Sequence, residues 1–368
     1  MATSEDLSNN AGGEMNLDCW ETFGEKDPRN MLSEIDSLPE QLQTAWALGQ
    51  DMPLPEPLRI RHIVLVGMGG SAIGADLIQA YAHSLAPIPI IVWRNYNLPV
   101  FVGTESLVIA SSHSGNTEET LSAFDRALKV GAKTVAITTG GELAKRAKTG
   151  DVPLWRFQHS GQPRAAVGYS FGLLLAVIHR MGWLPDPSKE VEDAIATMQD
   201  QQATLRANVP IAQNAAKRMA GQLMGRWPTI IGADFLAPVA RRWRTQISEI
   251  AKAVAQFEEL PEADHNLVAG VSDPQELIPK MMVIFLQASH CHSRNQLRTD
   301  ATREVLMAEG FNTDVFESQG NSRLAQQWTT LHFGDYVSFY LAMSYGVDPT
   351  PVPAIEGLKK RLKELTSG

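Results

Sequence analysis

HIVLVGMGGSA, residues 62–72, opens with four consecutive apolar residues, Ile63 to Val66, and then breaks on glycine at 67, 69 and 70. An unbroken, largely β-branched run of this kind is the pattern of a strand buried on both faces. ADLIQAYAHSL at 75–85 then has the three-and-four spacing of a helix. Working outward, the same alternation continues. IPIIVW (88–93), LVIASS (107–112) and TVAITT (134–139) are strand runs, and TLSAFDRALKV (120–130) and GELAKRAKT (141–149) are helices between and after them. Strands alternating with helices predict a mainly parallel sheet flanked by helices on both sides.

Beyond Pro163 a long apolar helix is expected through RAAVGYSFGLLLAVIHRMGW (164–183), followed by a charged helical segment from Pro185 to Arg206. At Trp227 the alternation restarts. PTIIGA, a helix through RRWRTQISEIAKAVAQF (241–257), MMVIFLQ, DVFESQG and a helix through WTTLHFGDYVSFYLAMSYG make a second half like the first. Upstream, residues 1–13 read as a polar tail, and Asn30–Gly49 as one helical segment with Met31, Leu32, Ile35, Leu38, Leu42 and Ala45 on its apolar face. The chain ends in a proline-broken turn and an amphipathic helix carrying Leu358, Leu362 and Leu365. The expected organisation is therefore α/β. An N-terminal tail and helical segment occupies 1–50, a first sheet domain 51–185, a helical connector 186–222, and a second sheet domain with its C-terminal helix 223–368.

Composition narrows the function. The 368 residues carry a formal charge of −9 without a Lys/Arg cluster, which argues against a nucleic-acid surface, because such a surface must displace counterions. The longest apolar runs, 171–178 and 281–286, are too short to span a bilayer, and the acidic N-terminus lacks the basic start of a secretory signal. Cys19 and Cys291 lie far apart, without metal-ligand or disulfide spacing. A cytoplasmic protein that binds neither nucleic acid nor membrane is expected.

GMGGSA (67–72) fits a dinucleotide fingerprint as well as a plain phosphate turn, since glycines expose backbone N–H groups at a helix start. The dinucleotide reading wants an acid after the second strand, and finds Trp93-Arg94-Asn95 instead; Arg94 would suit only the 2′-phosphorylated cofactor. SSHSGNTEET (111–120) weighs against it. This stretch ends the third strand at the same sheet edge, and Ser112, Ser114 and Thr117 offer hydroxyls around Gly115. A single phosphomonoester needs that many donors. A helix cap before Glu118 uses the same groups, so capping and phosphate binding coexist.

Together these two loops resemble those of sugar-isomerase (SIS) domains. PRAAVGYSFG (163–172), SEIAK (248–252), DHN (264–266), GDYVSFYLA (334–342) and DPTPVPAIEGLK (348–359) further resemble the bifunctional phosphoglucose/phosphomannose isomerases, in order from about Met31 onward. His113, Ile250 and Asp264 depart from that pattern, standing where Tyr, Asn and Asn are frequent. The resemblance implies two SIS-type domains and a cofactor-free, metal-free isomerisation of glucose 6-phosphate, and mannose 6-phosphate, with fructose 6-phosphate. It implies phosphate binding by Gly69, Gly70, Ser71, Ser112, Ser114 and Thr117. It assigns proton transfer to Glu249, enediolate stabilisation to Arg164, ring opening to His265, and help at the ring oxygen to Lys359 (with Lys360 the alternative). It further implies a homodimer in which the histidine comes from the neighbouring subunit. His113 and His179 are expected to take no part in the chemistry. The reading from another class is a phosphosugar-sensing SIS module, which needs the two loops but not Glu249, Arg164 and His265 together.

Overall fold

A computed structural model describes residues 16–56 and 59–366, so the expected tail at 1–13 lies outside the described residues. Helix α1 (Phe23–Lys26) leads into α2 (Met31–Asp36) and α3 (Leu38–Asp51). The one helical segment expected at 30–49 is thus two helices. The joint is Ser37, and Pro39, which has no N–H to donate, sits in the first turn of the second.

The first sheet is built from β1 (His62–Val66), α4 (Gly69–Ala82), β2 (Ile90–Trp93), β3 (Ser106–Ser111), α5 (Glu118–Lys129), β4 (Lys133–Thr138), α6 (Gly141–Thr149) and β5 (Leu154–Arg156). Its strands are all parallel, in the order β2-β1-β3-β4-β5. Helices α7 (Val167–Arg180), α8 (Ser188–Leu205) and α9 (Ala215–Leu223) intervene. Next come β6 (Trp227–Ala233), α10 (Ala237–Ile250), β7 (Gln256–Leu260), β8 (Met281–Gln287), α11 (Ser293–Ala308), β9 (Asn312–Glu317) and α12 (Arg323–Ser344), before the last helix, α13 (Pro353–Thr366). The second sheet runs β7-β6-β8-β9 and is also wholly parallel.

Two strands, β5 and β7, were not anticipated. The helix expected over 241–257 stops at Ile250, because Lys252 takes φ +57° and the chain turns back into β7. Left-handed backbone at a non-glycine residue cannot propagate a helix.

Alternate residues of each strand face opposite layers. Ile63, Leu65, Leu107 and Ile109 enter the main core, while Val64, Val66 and Val108 meet Ala123 and Ala127 of α5. Ile230, Ile284 and Leu286 of the second sheet reach that same main core. Within it α4 packs on α10, α7 on α3 and α4, and α12 on α8, α9 and α10. The helices between the sheets therefore form one shared layer, and α12 is buried along almost its whole length, its polar side chains included. Among the described residues no helix is long and apolar enough to cross a membrane. In both sheets the chain reverses direction of winding beside the first strand, which opens a crevice at the carboxyl ends of β1 and β3 and of β6 and β8.

Candidate active site

The crevice of the first sheet carries both loops. After β1, Met68 is extended and Gly69 takes φ +51°, which turns the backbone straight into the first turn of α4. Gly70 answers a different need. A Cβ there would lie 2.4 Å from the Pro163 carbonyl oxygen, so only glycine lets α4 lie against the Pro163–Ala165 turn.

The hydroxyl loop is tied to that start. The His113 N–H donates to Ser71 Oγ at 3.2 Å, and the Gly115 N–H to Ser112 Oγ at 3.1 Å. Ser112 Oγ and Thr117 Oγ1 share a hydrogen bond at 3.0 Å, and the Asn116 N–H donates to Ser114 Oγ at 3.2 Å. Gly115, at φ +68°, passes so close to Gly140 that a Cβ would sit 2.0 Å from its carbonyl oxygen. Ser71 and Ser112 are buried and Ser114 is exposed. Thr117 precedes α5, with Glu118 and Glu119 in that helix's first turn, yet its side chain makes no capping bond; it bonds Ser112 instead.

Helix α10 delivers the other half. Arg241, Arg242, Thr245, Gln246 and Glu249 fall on one face of it, and this face meets the start of α4 and the Arg164 turn. Together they enclose a cavity of about 130 Å³ lined also by Gly69, Gly70, Ile73, Asp76, Arg94 and Arg164. Arg164 is 5% exposed, and its Nη1 lies 3.8 Å from Glu249 Oε2. Its Nη2 donates to the carbonyls of Pro349, at 2.9 Å, and Thr350, while Nε has no partner. Burial pushes this guanidinium down from its ordinary value and Glu249 opposes that shift.

Beneath it, Arg242 donates from Nε and Nη2 to the two carboxylate oxygens of Asp335, at 3.1 and 2.6 Å, and from Nη2 to the Arg164 carbonyl at 3.1 Å. Gln246 adds a bond to Asp335 at 3.1 Å, and its Oε1 is buried without a partner. Asp335 belongs to the GDYVSFYLA motif of α12, so the longest core helix fixes the arginine turn.

Lys252 is a residue the sequence did not single out. Its ammonium donates to the carbonyls of Glu249 and, at 3.2 Å, Pro349. Although the residue as a whole is exposed, desolvation and the nearby Arg164 charge push this group down to about 8. A continuous helical pattern hid it; its left-handed turn is visible only in three dimensions. Arg94, the group that would have suited a 2′-phosphate, is paired with the buried Asp76 carboxylate, which also binds Arg241 at 3.2 Å. Asp76 spaced seven residues beyond Gly69 was the missed signal.

His265 and Lys359 do not join this cavity within one chain. His265 is exposed on the loop after β7, where its neighbour Asp264 binds Arg298 and Thr302, each at 2.6 Å. Lys359 and Lys360 both lie exposed on α13. Among the described residues no group of three or more His, Cys, Asp or Glu is placed to hold a metal ion.

A glycine turn and a hydroxyl loop at the switch point of a doubled parallel α/β fold define a double SIS-domain protein. The solved structure of a hypothetical protein from Thermus thermophilus superposes with a TM-score of 0.74 at 16% identity, covering 96% of this chain and 94% of its own. Residues 212–362 match the bacterial phospho-glucose isomerase C-terminal SIS domain. The bifunctional phosphoglucose/phosphomannose isomerase of Caldicellulosiruptor bescii is 38% identical across 91% of this chain and 99% of its own. The enzyme of the same name from Aquifex aeolicus is 36% identical, across 83% and 91%. The chain belongs to the bifunctional phosphoglucose/phosphomannose isomerase family.

Proposed function

We propose that this protein interconverts glucose 6-phosphate, and mannose 6-phosphate, with fructose 6-phosphate by intramolecular proton transfer. The observation that carries the proposal is the meeting of Arg164 and Glu249, 3.8 Å apart, from the two halves of the chain at the rim of the glycine turn. The phosphate is held by Gly69, Gly70 and Ser71 and by Ser112, Ser114 and Thr117. The sugar carbons then extend toward α10. Glu249 takes the C2 proton of the open-chain aldose and returns it at C1, through a cis-enediolate. Arg164 supplies positive charge beside the developing oxyanion, a charge that a guanidinium keeps at any working pH.

Ring opening falls to His265, assisted by Lys359 or Lys360. Because His265 lies outside its own chain's cavity, we infer a C2 homodimer in which each copy completes the other's site. The exposure of Ile355, Leu358 and Leu365 on α13, by 41, 59 and 69%, supports a partner surface there. Both cysteines are unpaired thiols, which suits a cytoplasmic setting.

The deciding experiment follows fructose 6-phosphate in deuterated water. Wild type incorporates label at C1 and C2; Glu249→Gln loses incorporation by a factor of about 10³ or more while still binding inorganic phosphate. Exchange at the wild-type rate in Glu249→Gln would remove the carboxylate from the mechanism.

A further inference from the structure

The hydroxyl loop has a second anchor that nothing in the chemistry above uses. His113 stands between Ser112 and Ser114, and its backbone is a junction. Its N–H donates to Ser71 Oγ, and its carbonyl accepts from the Thr139 N–H at 3.1 Å and Thr139 Oγ1 at 2.7 Å. One residue thereby joins the glycine turn, the hydroxyl loop and the end of β4.

Its ring continues inward. His113 Nε2 lies 2.9 Å from His159 Nδ1, and His159 Nε2 lies 2.8 Å from Glu34 Oε2 on α2. The His159 side chain is 8% exposed. Phe157 and Tyr169 stack on each other at 5.1 Å, with the His113 ring edge-on to Phe157 and the His159 ring tilted against Tyr169, both at 5.8 Å. Space for the carboxylate is made by Gly161, where a Cβ would lie 2.1 Å from Glu34 Oε1.

Each bond in this chain needs one hydrogen. The Glu34 carboxylate accepts from His159 Nε2, and a second hydrogen joins His159 Nδ1 to His113 Nε2. Burial, with His159 next, pushes His113 down to about 4, so its ring is neutral near pH 7. Carboxylate, imidazole and imidazole thus form one hydrogen-bonded series. This is an arrangement that orients rings in functional sites.

We propose that Glu34, His159 and His113 are positioning residues that hold the hydroxyl loop in its phosphate-binding shape, and so set the affinity for the phosphate end of the substrate. The proposal rests on the phosphosugar reading above. Phosphate oxygens meet the loop; the three residues act through its backbone, from the side facing α2 and α7. Proton transfer at Glu249 lies on the other wall and stays outside their reach.

The test is steady-state isomerisation of fructose 6-phosphate together with the Kd for inorganic phosphate measured by calorimetry on the full chain. His159→Leu is expected to raise both KM and the phosphate Kd about ten-fold, with kcat within two-fold of wild type. His113→Ala should do the same. The double variant should be no worse than either single one, because both remove the same brace. Glu34→Gln, which keeps an acceptor for His159, should fall between them and wild type. Unchanged KM and Kd in His159→Leu would overturn the proposal, as would additive losses in the double variant or a fall confined to kcat. Should His159→Leu not fold, the Glu34→Gln and His113→Ala pair carries the same comparison. Wild-type protein that binds no phosphate would instead overturn the phosphosugar reading, and phosphate binding by Glu249→Gln separates the two failures.

Discussion

Arg164 was legible as an unusual residue because, in the sequence, a cation that opens an apolar helix does not fit a solvated face, and the structure buries it. Glu249 was not, since its spacing alone suits an exposed helix acid; only the resemblance singled it out. Lys252 shows where sequence reading runs out. Its helical pattern continues to Phe257, but the backbone turns at φ +57° and tucks the ammonium against the Glu249 and Pro349 carbonyls. With its proton held only to about pH 8, Lys252 is a cation below that value and neutral above it. The proposed isomerisation should therefore slow as the pH rises through about 8, when one positive charge beside Arg164 and Glu249 is lost. Lys252→Arg keeps that charge, and its alkaline limb is expected at least one pH unit higher. A pH–rate profile with fructose 6-phosphate decides the matter: coincident limbs in the two proteins would assign the titration to another group.

At the scale of elements, the two glycines at the start of α4 do different work. Gly69 needs its left-handed φ and has nothing within 4 Å of where a Cβ would be, whereas Gly70 has allowed backbone and no room. Gly69→Ala is accordingly expected to cost about 1 kcal/mol of backbone strain and little else. Gly70→Ala must push the Pro163–Ala165 turn away, and Arg164 with it, lowering kcat by about ten-fold or more. Chemical denaturation and turnover measured on both variants separate the two effects; equal kinetic losses would mean that strain alone matters.

The strand–glycine–helix pattern made this turn readable from residues 62–72. It did not reveal that the second half repeats the corner with other chemistry. Ala233 is extended as Met68 is, and Asp234 takes φ +52° where Gly69 takes +51°. There the Asp234 carboxylate accepts from the His292 N–H at 2.7 Å and from Asn295 Nδ2 at 2.8 Å, at the start of α11. One half offers open backbone at its corner; the other fills the corner with its own acid. No periodicity distinguishes them, because the difference lies in a side chain that folds back on the neighbouring loop.

For the molecule as a whole, the repeat in the sequence foretold two sheets but not that a single layer of helices would serve both. The motif GDYVSFYLA explains itself only in that layer. Gly334 leaves room for the Trp243 ring, whose Nε1 would lie 2.1 Å from any Cβ there, and Asp335 holds Arg242 under the Arg164 turn. Three residues earlier His332 is fully enclosed, with Nε2 donating to the Ile35 carbonyl at 2.9 Å and Nδ1 without a partner. That bond fastens the N-terminal helices to the common core. Burial pushes the imidazole down to about 4, so the folded protein keeps it neutral while the unfolded chain protonates it near 6.5. The unfolded state thus binds the extra proton first, and stability that is complete above pH 6.5 is lost as the pH falls to about 4. For this one group the loss is on the order of 3 kcal/mol. His332→Gln keeps a donor for Ile35 and removes the titration, while His113, also near 4, contributes equally to both proteins. Urea unfolding at pH 7 and pH 4 should then show wild type losing more stability than His332→Gln by about that amount. Equal losses in the two proteins would mean that acid destabilises the fold elsewhere, and that the α2–α12 contact is indifferent to protons.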